Sequence, residues 1–211
     1  ILLGAGYVGM LWSSNNTSVF SAYAAFISTI LIWFWLELSF LVGWTTGTRK
    51  VSCPDNATGF KRAWLAFQVI NYNEFLILSI AVSLFFLVWD SINPFGFFSF
   101  VVLWVMKISA KVNIFLGVRN FYENFLPNRL SYLQTYFRRR AMNPVFPIFV
   151  FFAIWVDLLF WNNALRASSE FLQISYTLLA SLLALGILEH FMMVLPFQLN
   201  KLWSLGLSEQ K

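Results

Sequence analysis

The sequence predicts an all-α protein of the membrane, built as a bundle of transmembrane helices. Hydrophobic residues make up 59% of its 211 residues and charged residues 11%, against roughly 25% charged in soluble domains. The mean hydropathy is +0.70, and five apolar stretches approach or exceed the about 20 residues that a spanning helix needs. We therefore expect one integral membrane domain over residues 1–211, with about six spans of which the first is incomplete.

The predicted spans follow one another with short connectors. Residues 1–12 are apolar but short, and the chain opens inside an apolar run at Ile1, so we expect this stretch to be the end of a helix that begins further upstream. Complete spans are expected at residues 19–43, 63–89, 95–117, 145–165 and 171–195. The fourth of these contains Asp157.

The Lys and Arg residues predict the orientation of the bundle. Thirteen of the fourteen fall in residues 44–62, 107–144 and 197–211, whereas Arg166 is alone in the opposite connectors. Cytoplasmic loops of membrane proteins carry an excess of Lys and Arg. We therefore expect residues 107–147 and the C-terminus to face the cytoplasm. The net charge of +5 reflects this bias, and we expect no nucleic-acid partner.

The most polar stretch, residues 107–147, holds seven of the fourteen basic residues. Between residues 118 and 140 apolar side chains recur at helical spacing, broken by Pro127, which predicts an amphipathic element at the membrane surface. Three consecutive arginines would attract anionic lipid by about 1 kcal/mol each. The segment is either a simple membrane anchor or a docking surface. The candidate docking residues are Arg119, Phe121, Phe125, Tyr132, Tyr136, Arg138, Arg139 and Arg140.

Several polar residues lie inside the predicted spans, where a charge costs a few kcal/mol and usually faces another helix. Their depths, counted at 1.5 Å per residue, put them in the cytoplasmic half of the membrane. This candidate cluster consists of Glu37, Asn73, Glu74, Lys107, Lys111, Glu189 and His190. One interpretation is a site for a metal, a quinone or a tetrapyrrole. The other is a set of interhelical ion pairs, because two lysines in the same layer would neutralise carboxylates.

The central stretch also resembles a known family. Residues 104–120, Glu123 to Pro127 and residues 137–147 are similar to the signature of the PuhE family of photosynthetic complex assembly proteins. Further matches are Glu37 to Gly43, followed by Cys53-Pro54, and Leu188 to Pro196. The resemblance implies a multi-spanning protein of the bacterial inner, photosynthetic membrane, encoded beside the gene for the reaction-centre H subunit. It also implies one more helix at the N-terminus.

The partners implied by the resemblance are reaction-centre subunits and antenna helices, besides the lipid bilayer, with contact to bacteriochlorophyll or carotenoid. The chain departs from the family at Leu36 and at Tyr72-Asn73, where the family often has histidine. His190 is the single histidine, and it is either a bacteriochlorophyll ligand or a partner of Glu37 or Glu189. We expect no enzyme, since no GxSxG, P-loop or GxGxxG motif is present. A pigment-handling enzyme or carrier and a small-molecule transporter are the alternatives.

Overall fold

The computed structural model describes residues 1–121 and 126–196, and this part of the chain is helical. Its helices are α1 (Leu2–Ser14), α2 (Val19–Leu41), α3 (Gly59–Val88), α4 (Phe95–Leu116), a 3-10 helix (Asn128–Tyr136), α5 (Phe146–Leu165) and α6 (Glu170–Val194). Extended pairing in the described ranges is limited to a single bridge between Val118 and Arg139. The predicted all-α class is confirmed.

Five of the described helices, α2 to α6, are long and apolar enough to cross a membrane. Their bounds agree with the predicted spans to within four residues. Helix α1 has 13 residues, about 20 Å of helix, and packs along α2. The protein is therefore a multi-pass membrane protein.

Helix α4 lies at the centre of the bundle and contacts α2, α3 and α6. Helix α5 is the outermost span, since it packs mainly on α6 and buries just Phe146, Val150 and Ala164. Helices α2, α4 and α6 end, and α3 and α5 begin, at the same end of the bundle. We call it the basic end because it carries most of the Lys and Arg described above.

Polar side chains fix the ends of the helices. Ser18 and Ser169 accept hydrogen bonds from backbone N–H groups in the first turns of α2 and α6. Asn93 donates to the carbonyls of Ser13 and Asn16, which holds the α1–α2 turn against the start of α4. These contacts satisfy donors and acceptors that a helix end leaves open.

Residues 117–145, the α4–α5 segment, fold back over the basic end. The N–H of Val118 donates to the Arg138 carbonyl, and the N–H of Arg140 donates to Val118. The N–H of Asn120 donates to the carbonyl of Met193 at the end of α6. The segment is thus tied to itself and to α6 by backbone hydrogen bonds.

The 3-10 helix differs from the predicted amphipathic element. Its apolar side chains Leu130, Leu133 and Tyr136 are buried against Val69 of α3, so they form protein core and do not lie at the lipid headgroups. Periodicity identified which side chains share a face, but it could not tell whether that face meets lipid or another helix. In the described part of residues 118–140, helical structure is also limited to the 3-10 helix, which begins directly after Pro127.

Candidate functional site

Two ion pairs join α4 to the helices on either side of it. Lys107 pairs with Glu37 of α2, and Lys111 pairs with Glu74 of α3. The two lysines lie one turn apart on α4, so they point in nearly the same direction. All four side chains are partly shielded, with 15% to 35% of their surface exposed. The pairs therefore brace three spans at similar depth.

Two aromatic rings lie beside the ion pair of Lys107 and Glu37. The Lys107 ammonium lies 5.2 Å from the ring centre of Trp33 and 5.8 Å from that of Phe40. A cation near an aromatic face gains about 0.5–2 kcal/mol, the larger value when water is excluded. These rings therefore add a cation–π contact to the Lys107–Glu37 ion pair.

A cleft of about 430 Å³ lies over α4 between α2 and α6. Helices α2 and α6 approach one another at the end opposite the basic end, where Ala22 packs near Phe171, and they leave the cleft open further along. Four charged side chains line it among apolar ones, namely Glu37, Lys107, Lys111 and Glu189. A concave apolar surface with a few converging polar groups is the usual form of a small-molecule site.

Glu189 is the one charged group of this cleft that forms no ion pair in the described residues. It is exposed on α6. Both lysines keep N–H groups beyond the oxygen that each one pairs with. The cleft can therefore offer hydrogen-bond donors from α4 and an acceptor from α6 to the polar end of an amphipathic molecule.

His190 does not line this cleft, and in the described residues its ring nitrogens bond to neither Glu37 nor Glu189. Its Nδ1 lies 2.8 Å from the Gly186 carbonyl, and its Nε2 lies 2.9 Å from Oγ of Ser109 on α4. The residue is 1% exposed. Both ring nitrogens are thus engaged within the protein, and in this arrangement neither is available to ligate a pigment.

The bond to Ser109 belongs to a longer chain of buried polar groups. Asn113 donates to the carbonyl of Ser109 at 2.9 Å, and Asn143 donates to Oδ1 of Asn113 at 2.9 Å. Oδ1 of Asn143 in turn accepts from the N–H groups of Val145 and Phe146 at 3.0 Å. This polar chain, His190–Ser109–Asn113–Asn143, links α6, α4 and the turn that leads into α5.

Sequence reasoning missed this polar chain. Asn143 is followed by Pro144 and an apolar run, which is a pattern typical of a helix start. That pattern was sufficient to place Asn143 just before a helix. The partner of Asn113 could not be inferred, because an asparagine inside a span shows only that some partner exists. The side chains of this polar chain bond to one another or to backbone groups.

Asn73, the remaining member of the predicted cluster, is fully buried, and neither polar atom of its side chain has a hydrogen-bond partner. Its backbone N–H donates to the carbonyl of Thr46 in the α2–α3 loop. The same loop reaches the Gln68 carbonyl through the N–H of Arg49 and the hydroxyl of Thr48. The loop thus bonds directly to the backbone of α3, a contact that the sequence pattern did not predict.

A buried arginine connects the α4–α5 segment to the bundle. Arg62 of α3 donates to the carbonyls of Tyr136 and Phe115, and its guanidinium lies 4.4 Å from the ring centre of Phe115. The hydroxyl of Tyr136 accepts from Arg49 and donates to the Val51 carbonyl. Tyr136 was predicted as a docking residue, and this is corrected, since it is 3% exposed and fully engaged in the fold.

The other predicted docking residues have different environments. Arg119, Arg139 and Arg140 are exposed at the basic end, whereas Phe121, Tyr132 and Arg138 are half-buried. Phe121 packs edge-on against Phe137 and beneath the guanidinium of Arg139. Phe125 lies outside the described residues, as do residues 197–211 of the predicted cytoplasmic tail. The exposed part of this surface is therefore basic.

The geometry limits the chemistry open to the described residues. Within residues 1–121 and 126–196 no three His, Cys, Asp or Glu side chains are close enough together to share a metal ion. The carboxylates nearest the centre are paired with lysine, and the single imidazole is bonded to a serine and a carbonyl. The arrangement braces helices, and its cleft can hold an amphipathic molecule.

This architecture of five membrane-crossing helices, braced by interhelical ion pairs and a buried polar chain, defines a multi-pass membrane protein. The chain belongs to the family described as protein of unknown function DUF3623, whose model matches residues 1–211. It is 35% identical over 203 residues to an uncharacterised 30.4 kDa protein in the puhA 5′ region of Rhodobacter capsulatus. That alignment covers 96% of this chain and 74% of the relative. No solved structure matches the chain.

Proposed function

We propose that this chain is a non-catalytic protein of the bacterial photosynthetic membrane, acting as an assembly factor or a resident accessory subunit of the reaction centre–light-harvesting complex. The observation that carries the proposal is the relationship to a Rhodobacter capsulatus protein named for its position in the puhA 5′ region. It agrees with the PuhE resemblance, which implies a gene beside that of the reaction-centre H subunit. Reaction-centre subunits and antenna helices are the proposed partners.

The geometry of the polar residues supports a non-catalytic role. Glu37, Glu74 and His190, which an enzyme could use as acid, base or metal ligand, are engaged in holding helices together. At the basic end, which we place in the cytoplasm, Arg119, Arg139 and Arg140 are exposed. They supply positive charge for a docking partner or for anionic lipid.

Deletion of the gene in its native phototrophic host tests the proposal. We expect the absorption bands of the assembled reaction centre and antenna to fall in membranes of the deletion strain, and to return with the wild-type gene. A charge-reversed variant, Arg139→Glu with Arg140→Glu, should restore less than wild type if the exposed arginines dock a partner. Unchanged levels of both complexes in the deletion strain would contradict the proposal.

Affinity purification distinguishes an assembly factor from a resident accessory subunit. A resident subunit should accompany the purified mature complex at fixed stoichiometry, whereas an assembly factor should be absent from it and present with incomplete complexes. A tagged chain that associates with neither type of complex would remove the support for both.

The cleft between α2 and α6 favours one second candidate, a carrier for an amphipathic pigment or a precursor of one. The observation behind it is the unpaired Glu189 facing the same cavity as Lys107 and Lys111. Glu189→Gln should weaken binding of added bacteriochlorophyll to the purified protein without lowering its thermal stability. A carrier or an enzyme should also lose function in Glu37→Gln and Glu74→Gln variants that still fold, whereas a structural subunit should keep it.

A further inference from the structure

Asp157 is an acidic side chain deep within the outermost helix. It lies eleven residues from the start of α5, which is about 16 Å along the helix and close to mid-membrane. Its Oδ1 is buried without a hydrogen-bond partner, although the indole of Trp161, one turn further along, is within reach of the carboxyl group. The salt bridges of the described residues do not involve it.

Such a residue needs an explanation, because an aspartate at the centre of a spanning helix costs about 2.5–3.5 kcal/mol on insertion scales. Ionisable residues at this depth usually face another helix or a polar cavity. The other acidic residues inside the spans follow this rule, since Glu37 and Glu74 pair with lysines and Glu189 lines the cleft. Asp157 has no comparable contact in the described part of the chain.

The position of Asp157 relative to α6 follows from two ring contacts. Phe146 meets Phe191 and Phe160 meets Tyr176, so in this antiparallel pair Asp157 lies level with Ala180. On the side facing α4, helix α5 lines a groove with Val156, Leu159 and Asn163, among others. Asp157 does not line that groove, and it therefore lies at the opposite, outer edge of the contact between α5 and α6.

The helix surface beside Asp157 is exposed. Ile154 and Trp161 share a face with it, three residues before and four residues after Asp157, and Leu158 lies beside that face. These three side chains are 39%, 39% and 61% exposed. We call these four residues the outer face of α5. Helix α5 is the least buried of the candidate spans, with 11% of its apolar window inside the protein.

We propose that the outer face of α5 packs in the membrane against a transmembrane helix of another polypeptide that carries an Arg or Lys side chain near mid-membrane. Charge complementarity supports this partner, since the half-buried carboxyl group of Asp157 forms no ion pair in the described residues and a basic group would neutralise it. The apolar neighbours of Asp157 would pack against the rest of that helix.

A second copy of this chain fits less well. Lys61 lies at the basic end of α3, whereas the two lysines deeper in the described spans, Lys107 and Lys111, are already paired with glutamates. His190 is buried with both nitrogens bonded. Away from the helix ends, the described spans therefore have no free basic group for the Asp157 of a neighbouring copy. This inference does not depend on the proposed photosynthetic role, because it specifies the chemistry of the partner helix and not its complex.

Site-specific photocrosslinking in membranes of the native host tests the proposal. A photoreactive residue at Leu158 of the full chain should give an adduct with one other polypeptide, and mass spectrometry should place the link in a spanning segment with an Arg or Lys near its middle. Asp157→Leu should lower the yield by about tenfold or more, because truncating one member of a buried charge pair strongly weakens association. Asp157→Asn should retain part of it.

The matched control is a photoreactive residue at Leu78, which is 44% exposed on α3, on another face of the bundle. It should not give the Leu158 adduct. Replacing the basic residue of the identified partner with Leu should abolish the adduct without altering this chain, which separates loss of contact from misfolding. Adducts at Leu158 with lipid alone, or with a second copy of this chain, would overturn the proposal. A partner from outside the photosynthetic complex would support it while weakening the proposed function.

Discussion

His190 on α6 and Ser109 on α4 are joined by a hydrogen bond of 2.9 Å between Nε2 and Oγ. The opposite ring nitrogen lies 2.8 Å from the Gly186 carbonyl. Because a carbonyl oxygen only accepts, Nδ1 donates to Gly186, and in the neutral imidazole Nε2 then accepts from the serine hydroxyl. The imidazole therefore links two spans, and a magnesium tetrapyrrole could bind it only after this link was broken.

The first prediction concerns His190→Ala. The change leaves Ser109 without its acceptor and removes a side chain that is 1% exposed. We expect a loss of about 1–3 kcal/mol in the free energy of unfolding, the cost of leaving a buried polar group unsatisfied. Denaturant titration in mixed micelles measures it.

Any pigment that purifies with the chain should remain bound to His190→Ala, since the imidazole nitrogens are engaged in the fold. Leu188→Ala is the control, because it alters a nearby side chain on α6 that is 50% exposed and should change stability little. Loss of a bacteriochlorophyll absorption band in His190→Ala alone would show that the histidine is a ligand after all.

The five spans could be predicted from sequence because length and hydropathy are local properties of each stretch. Placing Glu37 and Lys107 at similar depth was also possible, since depth follows from counting residues along a helix. Their pairing was one of two alternatives, because depth does not specify which helix faces of a bundle meet. The link from Asn113 to Asn143 depends on where the α4–α5 segment returns to the bundle, which no local pattern encodes.

The second prediction is a double-mutant cycle on the ion pair of Glu37 and Lys107. Each of Glu37→Gln and Lys107→Met leaves one charge without its partner inside a span, and should lower the free energy of unfolding by about 1–3 kcal/mol. The double variant should lose less than the sum of the two, since it leaves no unpaired charge. Thermodynamic unfolding of the four proteins gives the coupling energy.

The control for this cycle combines Glu37→Gln with a change at the lysine that does not pair with Glu37. Glu37→Gln combined with Lys111→Met breaks both ion pairs, because Lys111 pairs with Glu74. The effects of these two changes should add without a favourable coupling term. Equal coupling energies in the two cycles would mean that the lysines share their carboxylates and that the two separate pairs are wrong.

The third prediction concerns Asn143, whose side chain caps the turn that leads into α5. Asn143→Ala removes the acceptor for the N–H groups of Val145 and Phe146 and the donor to Asn113. Loss of a cap costs about 1 kcal/mol and an unsatisfied buried group about 1–3 kcal/mol. We therefore expect a marked loss of stability, with faster amide hydrogen exchange in the first turn of α5.

Asn162→Ala provides the comparison for Asn143→Ala, since Asn162 is an exposed asparagine at the other end of the same helix. Its replacement should leave both the unfolding transition and the exchange rates nearly unchanged. If the two variants behaved alike, the polar chain would not be the element that holds α5 to α4.

The last prediction concerns the contact between the α2–α3 loop and α3. A Cβ atom at Gly47 would lie 2.1 Å from the carbonyl oxygen of Gln68 and 2.5 Å from the carbonyl carbon of Val69. These are backbone atoms of a packed helix, so they cannot move aside as a flexible side chain would. Gly47→Ala should push the loop away from α3 and break the bond from the Asn73 N–H to Thr46. We expect it to lower the free energy of unfolding by about 1–3 kcal/mol.

The control is Gly4→Ala, where a Cβ meets no atom within 4 Å. It should be neutral or slightly stabilising, because alanine favours helix over glycine. Comparison of the two unfolding midpoints checks the prediction, and an unchanged midpoint for Gly47→Ala would show that the loop does not need this close approach.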